Sequence, residues 1–214
     1  MMIDELLARS RELELEVLSF LDLGTYNKSE KSEASRIACS ISIEHSISLK
    51  RLIELKLFTS AIALIRLQYE AVVRSQWIYH VASESDISKV WNELTPETAD
   101  AGNKLPTLSE MIKNLDNSSL SSSTLDMLKE CKEYSWKPTS SFIHCGIHAV
   151  NRHDKGYPSK LIEQNIRQSN SLLFIAAMML AQLAQNQQTA NKIRTLQFYF
   201  SDDLTNLKKT EQEE

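Results

Sequence analysis

The chain is poor in residues that bend a backbone: its 214 residues include four Gly and four Pro. A sheet protein of this length needs many tight turns. The scarcity therefore excludes a hairpin-rich architecture and favours helices joined by short connections. Cysteine is scarce as well. Cys39, Cys131 and Cys145 form no even framework and no CxxC, which excludes a disulfide scaffold and fits small apolar fillers in a reducing compartment. Long apolar runs are missing: Leu172–Ala181 is interrupted at Gln182, whereas a membrane span needs about twenty residues. The opening MMIDELLARSRELELE has acids where a signal peptide has bases. A net charge of −4 argues against a non-specific coat on nucleic acid and leaves room for a local basic cleft. The expectation is a soluble, cytoplasmic, all-α protein with no membrane partner. It has a single helical domain over residues 1–208 and a disordered tail over 209–214.

What the chain does contain is helical periodicity. The segment Thr59–His80, TSAIALIRLQYEAVVRSQWIYH, has no Gly or Pro and is apolar around most of its girth. Leu64, Leu67, Ala71 and Ile78 share one side; Arg66, Glu70, Val73, Arg74, Trp77 and His80 share the other. Before it, residues 2–23 predict an amphipathic helix closed by Gly24. A second helix is expected from about Ser32 to Phe58, with Ile37, Ile41, Ile47, Leu52, Leu55 and Phe58 as core positions, pairing antiparallel with the central one. After it, Asp86–Leu94 suits a short helix. Thr107-Leu-Ser-Glu110 is a capping box that opens another. The serines at 118–123 read as a loop and N-cap before a helix from Thr124 to Trp136, which Pro138 ends. Thr139–Arg152 reads as one helix, with Phe142, Cys145 and Ala149 on its apolar flank, Val150 beside them, and Gly146 allowing a close backbone approach. A long helix from about Ser159 to Gln188 precedes one or two shorter ones over Asn191–Leu207, with Phe198, Tyr199 and Phe200 docking. The fold class expected is an up-and-down bundle of four to five long helices with shorter accessory ones.

Two polar stripes interrupt this apolar pattern. Arg66, Glu70 and Arg74 are spaced i, i+4, i+8. Ordinary surface pairing is one reading. The other is a carboxylate that locks one Arg and leaves the second free for a phosphate or carboxylate ligand, with Trp77 as a stacking face. His144, His148 and Arg152 have the same spacing. They fit a plain polar face, a weak zinc site completed by Glu70 or Asp154, or a phosphodiester site in which His moves protons and Arg holds phosphate.

The pattern LIRLQYEAVVRSQWI, followed about seventy residues on by W-x5-FIHCGIHAVNR, resembles an uncharacterised bacterial all-α family and, through it, the HEPN (higher eukaryotes and prokaryotes nucleotide-binding) superfamily. The positions that carry it are Arg66, Glu70, Arg74 and Trp77, then Trp136, Ser141, His144, Gly146 and Arg152, within a likeness spanning about 55–185. The resemblance implies a HEPN-like bundle, often dimeric, that binds RNA or a nucleotide. Some such proteins are metal-independent ribonucleases of toxin–antitoxin or antiphage systems. Their Arg-x4–6-His motif has one match here, Arg74-SQWIY-His80, whereas in the later segment His144 precedes Arg152. Under this reading His144 transfers the proton, Arg66 or Arg152 clamps phosphate and Glu70 fixes the Arg, while Arg74, Trp77, His148 and Arg152 bind ligand without a cofactor. A homodimer and a cognate antitoxin or defence partner are the expected associations. The competing expectation is a non-enzymatic interaction module whose polar stripe is structural.

Overall fold

The computed structural model describes residues 2–205, and every regular element among them is helical. The expected tail over 209–214 lies outside the described residues. Five helices form the body: α1 (Ile3–Leu21), α2 (Glu30–Glu54), α3 (Phe58–His80), α7 (Ser122–Ile143) and α9 (Ser159–Ala184). Short helices α4 (Glu84–Trp91), α5 (Pro96–Gly102) and α6 (Leu108–Leu115) connect α3 to α7. Helix α8 (Ile147–Lys155) connects α7 to α9, and α10 (Gln187–Tyr199) closes the chain before a 3-10 turn. No helix among the described residues is long and apolar enough to cross a membrane.

Cross-helix contacts give the directions. Glu14 meets Lys50 and Arg11 meets Glu54, so α1 and α2 are antiparallel. Tyr69 meets Leu128 while Arg66 meets Ser140, so α3 and α7 are antiparallel too. Side chains bury into two apolar clusters. The larger gathers Leu13, Val17, Ile43, Tyr69, Val72, Trp77 and the middle of α9; the smaller gathers Leu6, Leu49, Ile53, Ile62, Ile65, Phe142 and Ile166.

Between the clusters lies a polar layer drawn from four helices. Lys50, 2% exposed, sits 2.8 Å from Glu14 and donates to Ser46 Oγ. Ser46 shares a hydrogen bond with Ser169, whose hydroxyl donates to Gln68 Oε1, and Gln68 Nε2 donates back to the Ser169 carbonyl. Burial pushes the Lys50 ammonium below its ordinary pKa, and the Glu14 carboxylate opposes that shift. Beside this layer, Asn170 donates to Ser10, and fully buried Asp203 accepts from Arg9, which ties the 3-10 turn after α10 to α1. Burial raises the thiols of Cys39 to about 12 and Cys131 to about 11, as befits fillers.

Several expected boundaries shift for identifiable reasons. Helix α2 stops at Glu54 rather than Phe58, because Lys56 adopts a left-handed φ of 59°. Leu57 N–H then donates to the Leu52 carbonyl and Lys56 N–H to the Ile53 carbonyl, a Schellman closure made without glycine. Pro138 lies inside α7 and does not end it. Hydroxyls around it donate to carbonyls one turn back, Thr139 to Ser135 and Ser140 to Trp136, which suits a helix accommodating a missing N–H. Helix α9 ends at Ala184, where Gln185 turns left-handed, and Asn186 caps α10. The capping box at Thr107 and Glu110 forms as expected. Ile37, Ile41 and Leu55, expected in the core, are exposed at 43% or more, as are Phe198 and Tyr199, expected to dock with Phe200; of that trio only Phe200 docks.

The polar layer generates a stability prediction. Glu14→Ala strands the buried Lys50 charge and should cost roughly 3–5 kcal/mol, lowering the melting temperature by about 10 °C. The double variant Glu14→Leu/Lys50→Met should recover most of that loss in the same thermal melt.

Candidate functional site

Helix α3 has no Gly or Pro to break it, so Arg66, Glu70 and Arg74 project from one face on successive turns. Arg66 Nε donates to Glu70 Oε1 at 2.8 Å, and the two side chains are 18% and 32% exposed. The guanidinium carbon stands 3.7 Å from the centroid of the Trp136 ring on α7. Arg66 Nη1 donates to Ser140 Oγ, one turn beyond Trp136, while that hydroxyl donates to the Trp136 carbonyl. Tyr69 packs edge-on to Trp136 and donates its hydroxyl to the Leu128 carbonyl. A guanidinium on an indole face is worth about 1–2 kcal/mol when partly desolvated, more than a partly exposed i, i+4 ion pair at a few tenths. The ring therefore does more than Glu70 to hold Arg66 flat. Arg74, partly buried, forms no ion pair within the described residues, so Glu70 locks one Arg and leaves the other unpaired.

The second stripe is not a single helix. Helix α7 ends at Ile143, His144 caps it, and Cys145 takes a left-handed φ of 50°. Gly146 N–H closes the turn on the Ser141 carbonyl at 2.7 Å, and α8 starts at Ile147. Gly146 allows the close approach expected of it, at an elbow and not in mid-helix: a Cβ there would stand 2.7 Å from Ser141 Oγ. That Oγ accepts from the His148 N–H at 2.9 Å and so caps α8 from the preceding helix. Underneath, Phe142 and Ala149 are buried as expected, whereas Cys145 and Val150 are exposed. Tyr157 packs at a tilt against Phe58, and Thr59 Oγ1 meets both the Tyr157 hydroxyl and His153 Nδ1, which pins the far end of α8 to the start of α3.

The elbow separates the expected residues. His144 and His148 are both exposed, but on different helices, and Arg152 is partly buried on α8. Because α3 and α7 are antiparallel, Glu70 lies one turn from the Arg66–Ser140 contact in one direction and His144 one turn away in the other. Two turns, roughly 11 Å, divide them, so Glu70 and His144 form no dyad and Arg66 sits between them. Trp77 is 2% exposed in the larger cluster and offers no stacking face; that position belongs to Trp136. Among the described residues no three His, Cys, Asp or Glu side chains group to hold a metal. Ser140, His153 and Thr59 were invisible as site residues in the sequence. Pro138 masks the i, i+4 relation of Trp136 to Ser140, the one local signal for Ser140, whereas Thr59 and His153 meet only through the packing of α8 on α3.

Residues 39–206 match DUF6988, a family of unknown function, and the chain belongs to that family. No curated protein and no solved structure matches the chain.

The elbow's geometry can be checked by a double-variant cycle. Ser141→Ala removes the cap on α8 and should cost about 1 kcal/mol. Gly146→Ala should cost a comparable amount by displacing Ser141. Because both act through one hydroxyl, chemical denaturation should show the double variant losing clearly less than the sum.

Proposed function

We propose that the face built by Arg66, Trp136 and the α7–α8 elbow binds the phosphate backbone of RNA or a nucleotide, in a HEPN-like protein of bacterial defence or a toxin–antitoxin pair. The observation that carries this reading is a guanidinium pinned flat on an indole with an edge still exposed, one turn from the exposed imidazole of His144. A pre-positioned Arg offers phosphate a fixed fork at little ordering cost. Arg74, unpaired on the same face of α3, and Arg152 on α8 extend the positive character. His148 lies at the elbow, and His153 and Lys155 stand at the far end of α8 with Asp154 between them.

If the face cleaves RNA, His144 takes the 2′-hydroxyl proton or returns one to the leaving oxygen, while Arg66 or Arg152 holds the scissile phosphate. Glu70 is then a positioning residue, holding Arg66 from the side away from His144. Pairing of two copies belongs to the same reading, with Ile37 and Ile41 as exposed apolar residues one turn apart on α2.

One observation favours a second reading, a non-enzymatic interaction module. Arg66 bridges α3 to α7 through Ser140 and the face of the Trp136 ring, while Glu70 holds its Nε. On that account the stripe is a clamp between α3 and α7. Glu70→Ala would lower the melting temperature while nucleic-acid assays stay blank.

Two measurements separate the readings. Fluorescence anisotropy with a single-stranded RNA should show Arg74→Ala and Arg152→Ala each weakening binding several-fold, with a salt dependence about one unit shallower for each phosphate no longer neutralised. RNA cleavage in excess EDTA should fall by about 100-fold or more in His144→Ala. Undiminished cleavage in that variant removes His144 from the chemistry.

A further inference from the structure

The far end of α3 carries a cavity that the Arg66 face does not use. It is about 300 Å³ in volume and lies between the end of α3, the loop and first turn of α7 and the C-terminal part of α9. Gln76, His80 and Ser119 bring polar groups to it, and Ile175, Met178 and Met179 form much of its apolar wall. His80 is fourteen residues beyond Arg66 on the same helix, or roughly 21 Å along its axis. This is therefore a separate place on the molecule.

Gln76 is the unexplained group. It is 2% exposed, yet its amide makes no hydrogen bond to any described residue. The buried amides Gln68 and Asn170 both donate to protein partners. The Gln76 amide is not among the fully enclosed unpartnered atoms, as His80 Nε2 is, so the little exposure it has opens on the cavity, where an occupant can supply the hydrogen bonds the protein does not. His80 is oriented by Ser119, whose hydroxyl lies 2.8 Å from Nδ1, and its Nε2 is buried without a partner. Burial, with Lys31 adding to it, lowers the imidazole pKa and so favours the neutral ring.

The wall chemistry narrows the occupant. No Asp, Glu, Lys or Arg lines the cavity, so a charged ligand would enter without a counter-charge. Two adjacent thioethers suit the face or edge of an aromatic ring. A carboxamide presents one acceptor and one donor on a single edge and pairs in bidentate fashion with a heterocycle of the complementary pattern. We infer that this cavity binds an uncharged, planar heterocycle with adjacent hydrogen-bond donor and acceptor, the chemistry of a nucleobase, through the Gln76 amide. The inference is independent of the phosphate-binding face, and either could hold without the other.

The test is titration of the full chain with adenine, cytosine and nicotinamide, and with the corresponding 5′-monophosphates of the two bases, by calorimetry and ligand-observed NMR. At least one of the three uncharged heterocycles or the two monophosphates should bind with Kd below about 1 mM. Tighter binding of the free heterocycles than of the monophosphates identifies a free small molecule as the source, and the reverse identifies a nucleotide. Gln76→Leu should weaken that binding at least tenfold while keeping or raising the melting temperature, since it removes an amide that has no partner. Gln76→Asn, which keeps the amide but draws it back by one methylene, should also weaken binding with the fold intact. Arg66→Ala should leave the affinity for the three phosphate-free heterocycles unchanged, and any monophosphate affinity that it alone removes belongs to the elbow face. Absence of binding by all five probes, or wild-type affinity in Gln76→Leu and Gln76→Asn, overturns the inference.

Discussion

The buried ion pair of Glu14 and Lys50, continued through Ser46 and Ser169 to Gln68, is the constraint on which the arrangement of long helices depends. Apolar side chains tolerate a range of packings, because dispersion and burial have little direction. A buried ammonium does not. It needs its carboxylate and hydroxyl at hydrogen-bonding distance, and sliding α1 or α2 by one turn would leave charge uncompensated in the interior. The layer thus sets the relative heights of α1, α2, α3 and α9, and the two apolar clusters fill in above and below it.

From that register the candidate face follows. Gln68 is held inward by Ser169, which turns Arg66, two residues earlier and roughly 200° around α3, toward α7. There the Trp136 ring and the Ser140 hydroxyl receive it. The polar layer and the Arg66 platform are in this sense one mechanical unit: the first sets the rotation of α3, and the second converts it into a contact with α7.

The long elements were legible because they are set by periodicity over many residues. The central helix, the antiparallel partner before it and the cap at Thr107 are of this kind. The capacity of Glu70 to fix one Arg was also readable from i, i+4 spacing. What could not be read depends on distant partners. Trp77 and Trp136 have similar helical surroundings in sequence, and only the packing of α7 decides which indole is buried and which meets the guanidinium. The elbow was missed because its left-handed residue is Cys145 and the neighbouring Gly146 has an extended φ of −83° and ψ of −173°. The rule that glycine marks the left-handed position pointed one residue away from the real break. Pro138 misled in the opposite sense, ending a helix on paper that hydroxyl side chains accompany through it in space.

The scarcity of glycine has a mechanical counterpart. Lys56, Cys145 and Gln185 all turn the chain through the left-handed region, and each carries a Cβ. A side chain there costs about 1–2 kcal/mol, a sizeable share of the 5–15 kcal/mol that holds a typical domain folded. These corners are not swivels that adopt whatever angle the neighbours ask of them. They behave as sprung catches, held shut by the rods on either side, and whatever loosens a rod would release the bend beside it.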